Sequence, residues 1–122
     1  METNMQLTTE PLASGVEKIA LAGRMDIAGT EEIDDRFKHL TTERSALIVV
    51  ELSQVSFLAS IGIRTLVSSA KALARNGGRM VLASPQPLVG AVLKLACIDS
   101  FIPVYADVEA ACAGLVPRSG EN

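Results

Sequence analysis

Ser60 stands between an apolar run, LIVVELSQVSFLA, and a segment, SIGIRTLVSSAKALAR, in which apolar residues return every three or four positions. A hydroxyl at the mouth of a helix has three chemistries open to it. It can cap the helix, accepting from a backbone N–H that has no partner inside the first turn, and this is the ordinary role of such a serine. It can be a nucleophile, which requires a base to take its proton. It can accept a phosphoryl group, because a helix start supplies free N–H donors and a partial positive charge that tolerate an anion.

The nucleophile reading is weak. The chain's one histidine, His39, falls at the end of a different helical segment, and LASIG around Ser60 does not have the GxSxG spacing of a nucleophile elbow. The expectation is therefore a non-enzyme. Around Ser60, the polar residues Arg64, Ser68, Lys71 and Arg75 follow at spacings of three and four and form a basic stripe, either a solvated face or a contact surface. Arg64, one turn on, is placed to meet an acidic partner or a phosphate on Ser60. Leu58 and Ile61 flank the serine as core residues or as apolar anchors of an interface. Asp26 is a turn residue that satisfies backbone donors, or a partner contact.

These residues need a scaffold, and 122 residues that are 48% hydrophobic suffice for one domain with a real core. Residues 4–10 and 16–22 alternate around a turn signal at 11–15 and predict a hairpin. Gly23, Arg24, Met25 and Asp26 break the pattern. A first helix is expected over 30–40, starting at Thr30 with Glu31 and Glu32 at its positive end and with Ile33, Phe37 and Leu40 inward.

Residues 46–50 are continuously apolar and read as a central strand covered on both faces. The helix after Ser60 buries Ile63, Leu66, Val67, Ala70, Leu73 and Ala74, and Asn76, Gly77 and Gly78 end it. A strand at 80–83, a helix at 88–96, a short edge strand or link at 102–105 and a last helix capped by Asp107 complete the order. That helix turns Val108, Ala111, Cys112 and Leu115 to one side. The fold class is α/β, a mixed, mostly parallel sheet of four to five strands packed on about four helices. Residues 1–115 form the domain, and 116–122 are expected to be a disordered tail.

A net charge of −3 and 20% charged residues provide no footprint for a phosphate backbone, so nucleic acid is not expected as a partner. Aromatics are 3%, which leaves few stacking platforms. Cys97 and Cys112 lack metal or redox spacing and read as small buried hydrophobes of a reducing compartment. No cofactor or metal is expected. The N-terminus lacks a signal-peptide pattern, and residues 87–98 are too short to span a bilayer and contain Lys94, so a cytoplasmic protein with no membrane insertion is expected.

Three stretches carry a family resemblance: AGRMDIAGTEEI, VVELSQVSFLASIGIRTL and GGRMVLASPQPLVGAVLKLACIDSFIPVYADVEAA. Together they resemble the STAS family, the small domains of bacterial anti-sigma factor antagonists, over roughly residues 5–112. The middle stretch is the specific one. The resemblance implies Ser60 as phosphoacceptor, Gly62 as the tight helix start and Asp26 as the first-loop aspartate. The family's common pattern has Asp directly before the serine, and Ala59 stands there.

The implied function is a phosphorylation-controlled binding module. Its unphosphorylated form binds an anti-sigma factor that is also a serine kinase and so releases sigma factor. Phosphorylation of Ser60 ends the binding, and a serine phosphatase restores it. The implied contact surface is Asp26, Leu58, Ala59, Ser60, Ile61, Gly62 and Arg64. Alternatives are a STAS subunit of a membrane transport complex docking a nucleotide-binding partner, and a constitutive scaffold without the switch.

Overall fold

The structure, a computed structural model, describes residues 5–42 and 45–115. Five strands form one sheet in sequence order: β1 (Met5–Pro11), β2 (Val16–Met25), β3 (Leu47–Leu58), β4 (Arg79–Ala83) and β5 (Val104–Tyr105). β1 and β2 are antiparallel, and every later neighbour is parallel. Between and after the strands lie α1 (Ile27–Thr42), α2 (Ser60–Arg75), α3 (Pro87–Leu95) and α4 (Val108–Leu115). The α/β class and the mixed, mostly parallel sheet are as expected. The tail at 116–122 lies outside the described residues.

Period-two alternation divides the sheet between two covers. Ile48, Val50 and Leu52 face the larger cluster with Phe37 of α1, Leu66 and Leu73 of α2, and Val89 and Leu93 of α3. Val49 and Val81 face the other way, onto Ala111 and Leu115 of α4. Residues 46–50 read as continuously apolar because helices cover both faces there.

Three expectations about element limits need correction. β3 does not stop near Val50 but continues to Leu58, and β2 runs through Gly23–Met25. Two register shifts in the β2–β3 ladder place extra residues on β3, so Leu52, Val55 and Leu58 are all buried although three apart. A strict alternation test misses such a strand. α1 starts at Ile27, three residues before the expected Thr30, because Asp26 caps it: Gly29 N–H donates to Asp26 Oδ1 at 2.8 Å. Glu32 serves the sheet instead, accepting from the Met5 N–H at the free edge of β1.

α2 ends as expected. Gly78 N–H reaches the Leu73 carbonyl and Gly77 N–H the Ala74 carbonyl, with Gly77 at φ +87. The buried line of α2 is Gly62, Thr65, Leu66, Ser69, Ala72 and Leu73, with Ile63, Val67 and Ala70 half-buried beside it. Ala74, expected inside, is exposed. Asp107 caps α4 through the Ala110 N–H at 2.8 Å, as expected.

The cysteines are not the pair of buried hydrophobes anticipated. Cys97 follows α3 in a left-handed conformation, φ 58, that terminates the helix and leaves the side chain exposed. Cys112 is half-buried against the α4 cluster. Among the described residues no helix is long and apolar enough to cross a membrane.

Candidate functional site

The carboxyl ends of β2 and β3 lie side by side, Met25 opposite Leu58 and Arg24 opposite Phe57. The Ala59 N–H donates to the Met25 carbonyl at 3.0 Å, which closes the strand pair and directs the chain into α2. Ala59, in extended conformation, is therefore the N-cap, and Ser60 is the first helical residue. The cap reading of Ser60 fails: no side chain caps this helix, and Ser60 is exposed. The backbone N–H groups of the first turn have no partner inside the helix, and no acidic side chain stands in that turn. This combination favours an anion.

Gly62 makes the arrangement possible. A Cβ at Gly62 would lie 2.8 Å from Leu58 Cδ1 and 2.8 Å from Met25 Cγ, so only glycine lets α2 start this close to the strand ends. Leu58 is 5% exposed and packs in the core; its side chain supports the site and offers no surface to a partner. Gly62 is likewise buried and acts through packing. Both therefore leave the expected contact set.

What remains at the surface forms a shallow groove of about 400 Å³ lined by Ile27, Ala59, Ser60, Ile61 and Arg64. Three of these, Ser60, Ile61 and Arg64, share the first turns of α2. Ile27 comes from α1 and was not recognised in the sequence. It is 64% exposed, a large apolar side chain with no core role. The available signal was its phase: six residues before Ile33, it lies about 120° off the buried stripe of α1.

Asp26 does not line this groove. Its Oδ1 caps α1, and Oδ2 lies 3.5 Å from Arg24 Nε. The Arg24 guanidinium also lies 4.4 Å from the Phe57 ring centroid. The turn role assigned to Asp26 is the one its geometry displays. Beyond the groove, Ser68, Lys71 and Arg75 are all exposed, so the polar face of α2 is a continuous basic stripe. His39 is on α1 beside Thr9, Asp35, Arg36 and Leu40, and none of these lines the Ser60 groove.

The fold and site together are those of a small α/β domain with an exposed serine at an uncapped helix start. Residues 12–111 match the family model described as STAS domain, and the chain belongs to that family. A Bordetella bronchiseptica protein, BtrV, named as a candidate anti-sigma factor antagonist, is 27% identical over 109 residues, 89% of this chain and 93% of that one. The fold matches an anti-sigma factor antagonist from Mycobacterium paratuberculosis with a TM-score of 0.81 and 20% identity, covering 91% and 93% of the two chains. It also matches the Bacillus protein SpoIIAA in its phosphorylated form, with a TM-score of 0.65 and 20% identity, covering 91% of this chain and 100% of that chain.

Proposed function

We propose that this STAS domain is an anti-sigma factor antagonist whose binding is switched by phosphorylation of Ser60. The observation that carries the reading is the exposed Ser60 hydroxyl at the start of α2, engaged in no capping bond and set in a groove with Ile27, Ile61 and Arg64. The unphosphorylated protein binds an anti-sigma factor that is also a serine kinase, and sigma factor is released. The kinase modifies Ser60 and leaves; a serine phosphatase resets the protein. The domain is then a substrate and binding module acting in the cytoplasm, and ATP belongs to its partner.

The switch is adequate in size. A phosphate adds about −1.5 to −2 charges. Against an acidic partner group about 4 Å away, each unit pair costs roughly 1 to 4 kcal/mol, and 1.4 kcal/mol is about tenfold in affinity. The first-turn N–H groups of α2 and Arg64 hold the phosphate without distorting the domain. Ala59 suits this role, since a carboxylate there would repel the incoming group.

The test is a pull-down from the source organism with wild-type and Ser60→Asp baits. A kinase-like anti-sigma factor held by wild type and lost with Asp supports the proposal. Recovery of the same transporter or scaffold proteins by both baits overturns it.

A further inference from the structure

A second groove, of about 510 Å³, runs along α3 where it faces the segment leading into β5, and it shares no lining residue with the Ser60 groove. Its volume falls in the range of small-molecule sites. Pro85, Pro87, Leu93 and Val104 give it apolar walls, Gly90 leaves its middle open, and Lys94 and Asp99 supply its only charges. Pro85 lies just past the carboxyl end of β4 and Val104 opens β5, so the groove follows the β4–α3–β5 connection.

The wall is preformed. Ser84 holds a left-handed conformation, φ 61, with its N–H bonded to the Tyr105 carbonyl at 3.0 Å, just before Pro85 and the start of α3 at Pro87. The Gln86 side-chain amide donates to the Ser53 carbonyl at 2.8 Å and pins the same loop to β3. A non-glycine residue kept left-handed beside a cleft is the sort of strain that collects at binding sites. Lys94 and Asp99 are exposed, and neither belongs to an ion pair among the described residues.

We infer that this groove binds a small apolar zwitterion, a branched aliphatic α-amino acid, with its carboxylate at Lys94, its ammonium at Asp99 and its side chain against Leu93 and Val104. Charge complementarity selects this class. A simple aliphatic carboxylate satisfies Lys94 but faces Asp99, and an aliphatic amine has the opposite fault. The inference does not depend on the Ser60 switch.

The experiment is an amide NMR titration of the full chain with L-leucine up to about 10 mM, the range expected for so small a ligand. Glycine, isovalerate and isopentylamine serve as comparison ligands. Saturable shifts at Gly90, Ala91, Leu93 and Val104 are expected, about tenfold weaker with each comparison ligand and with leucine on Asp99→Asn or Lys94→Gln. Both positions are exposed, so well-dispersed spectra will verify that the variants fold. Absence of saturable shifts at those amides overturns the inference, as does isovalerate or isopentylamine binding as tightly as leucine.

Discussion

Replacing Asp26 separates two roles that a first-loop aspartate can combine. In Asp26→Ala the Gly29 N–H, 2.8 Å from Oδ1, loses its acceptor. Gly29 is buried, so water does not readily replace that bond. Loss of an N-cap costs about 1 kcal/mol, and the missing negative charge at the positive end of α1 adds about 0.3 to 1 kcal/mol. The Arg24 pair adds little: at 3.5 Å between side chains 58% and 32% exposed, it is screened and worth about 0 to 1 kcal/mol. The sum is about 1.3 to 3 kcal/mol, a fall of roughly 4 to 15 °C in Tm for a domain of this size. Asp26→Asn keeps an equivalent acceptor and loses only the charge, so its cost stays near 0.5 kcal/mol.

Urea denaturation of the three proteins, with the slope of the transition held as a check on two-state behaviour, measures both differences. An Asp26→Ala midpoint equal to wild type refutes the capping argument. An Asn variant as unstable as the Ala variant shows that charge, not the acceptor, does the stabilising. If Asp26 also touches the partner, Asp26→Asn will lose affinity while staying folded.

Two further outcomes follow from the packing. Gly62→Ala gains about 1 kcal/mol of helix propensity but brings a methyl to 2.8 Å from Leu58 and Met25, an overpacking of about 1 to 3 kcal/mol. The net effect is a loss of up to about 2 kcal/mol in thermal or chemical unfolding, and a clear stabilisation would contradict the close approach described. In the native protein, a thiol reagent should label exposed Cys97 faster than half-buried Cys112; equal rates, followed by mass spectrometry, would contradict the assigned exposures.

The parts of the fold visible in the sequence are those where cover and periodicity coincide. Ile48 and Val49 face helices on opposite sides of the sheet, the basic stripe of α2 repeats at helical spacing, and Gly77 stops that helix by taking a positive φ. The second half of β3 was hidden because bulges shift its register and because Ser53, Gln54 and Ser56 occur among its apolar residues. The start of α1 was hidden because its cap, Asp26, looked like the end of a broken strand.

The site was partly legible for the same reasons. Ser60, Ile61 and Arg64 follow one another on a single helix and meet in one groove. Leu58 and Gly62 each stand two residues from Ser60 but are buried, a distinction set by the strand-to-helix turn at Ala59. Ile27 reaches the groove from another helix, and that proximity is tertiary.

The most direct measurement is the affinity of the anti-sigma factor for this protein before and after stoichiometric phosphorylation at Ser60, by titration calorimetry. A phosphorylation switch at Ser60 requires that the unmodified protein binds and that the phosphorylated form is at least about tenfold weaker, with an unchanged fold by circular dichroism. Equal affinity of the two forms would contradict it.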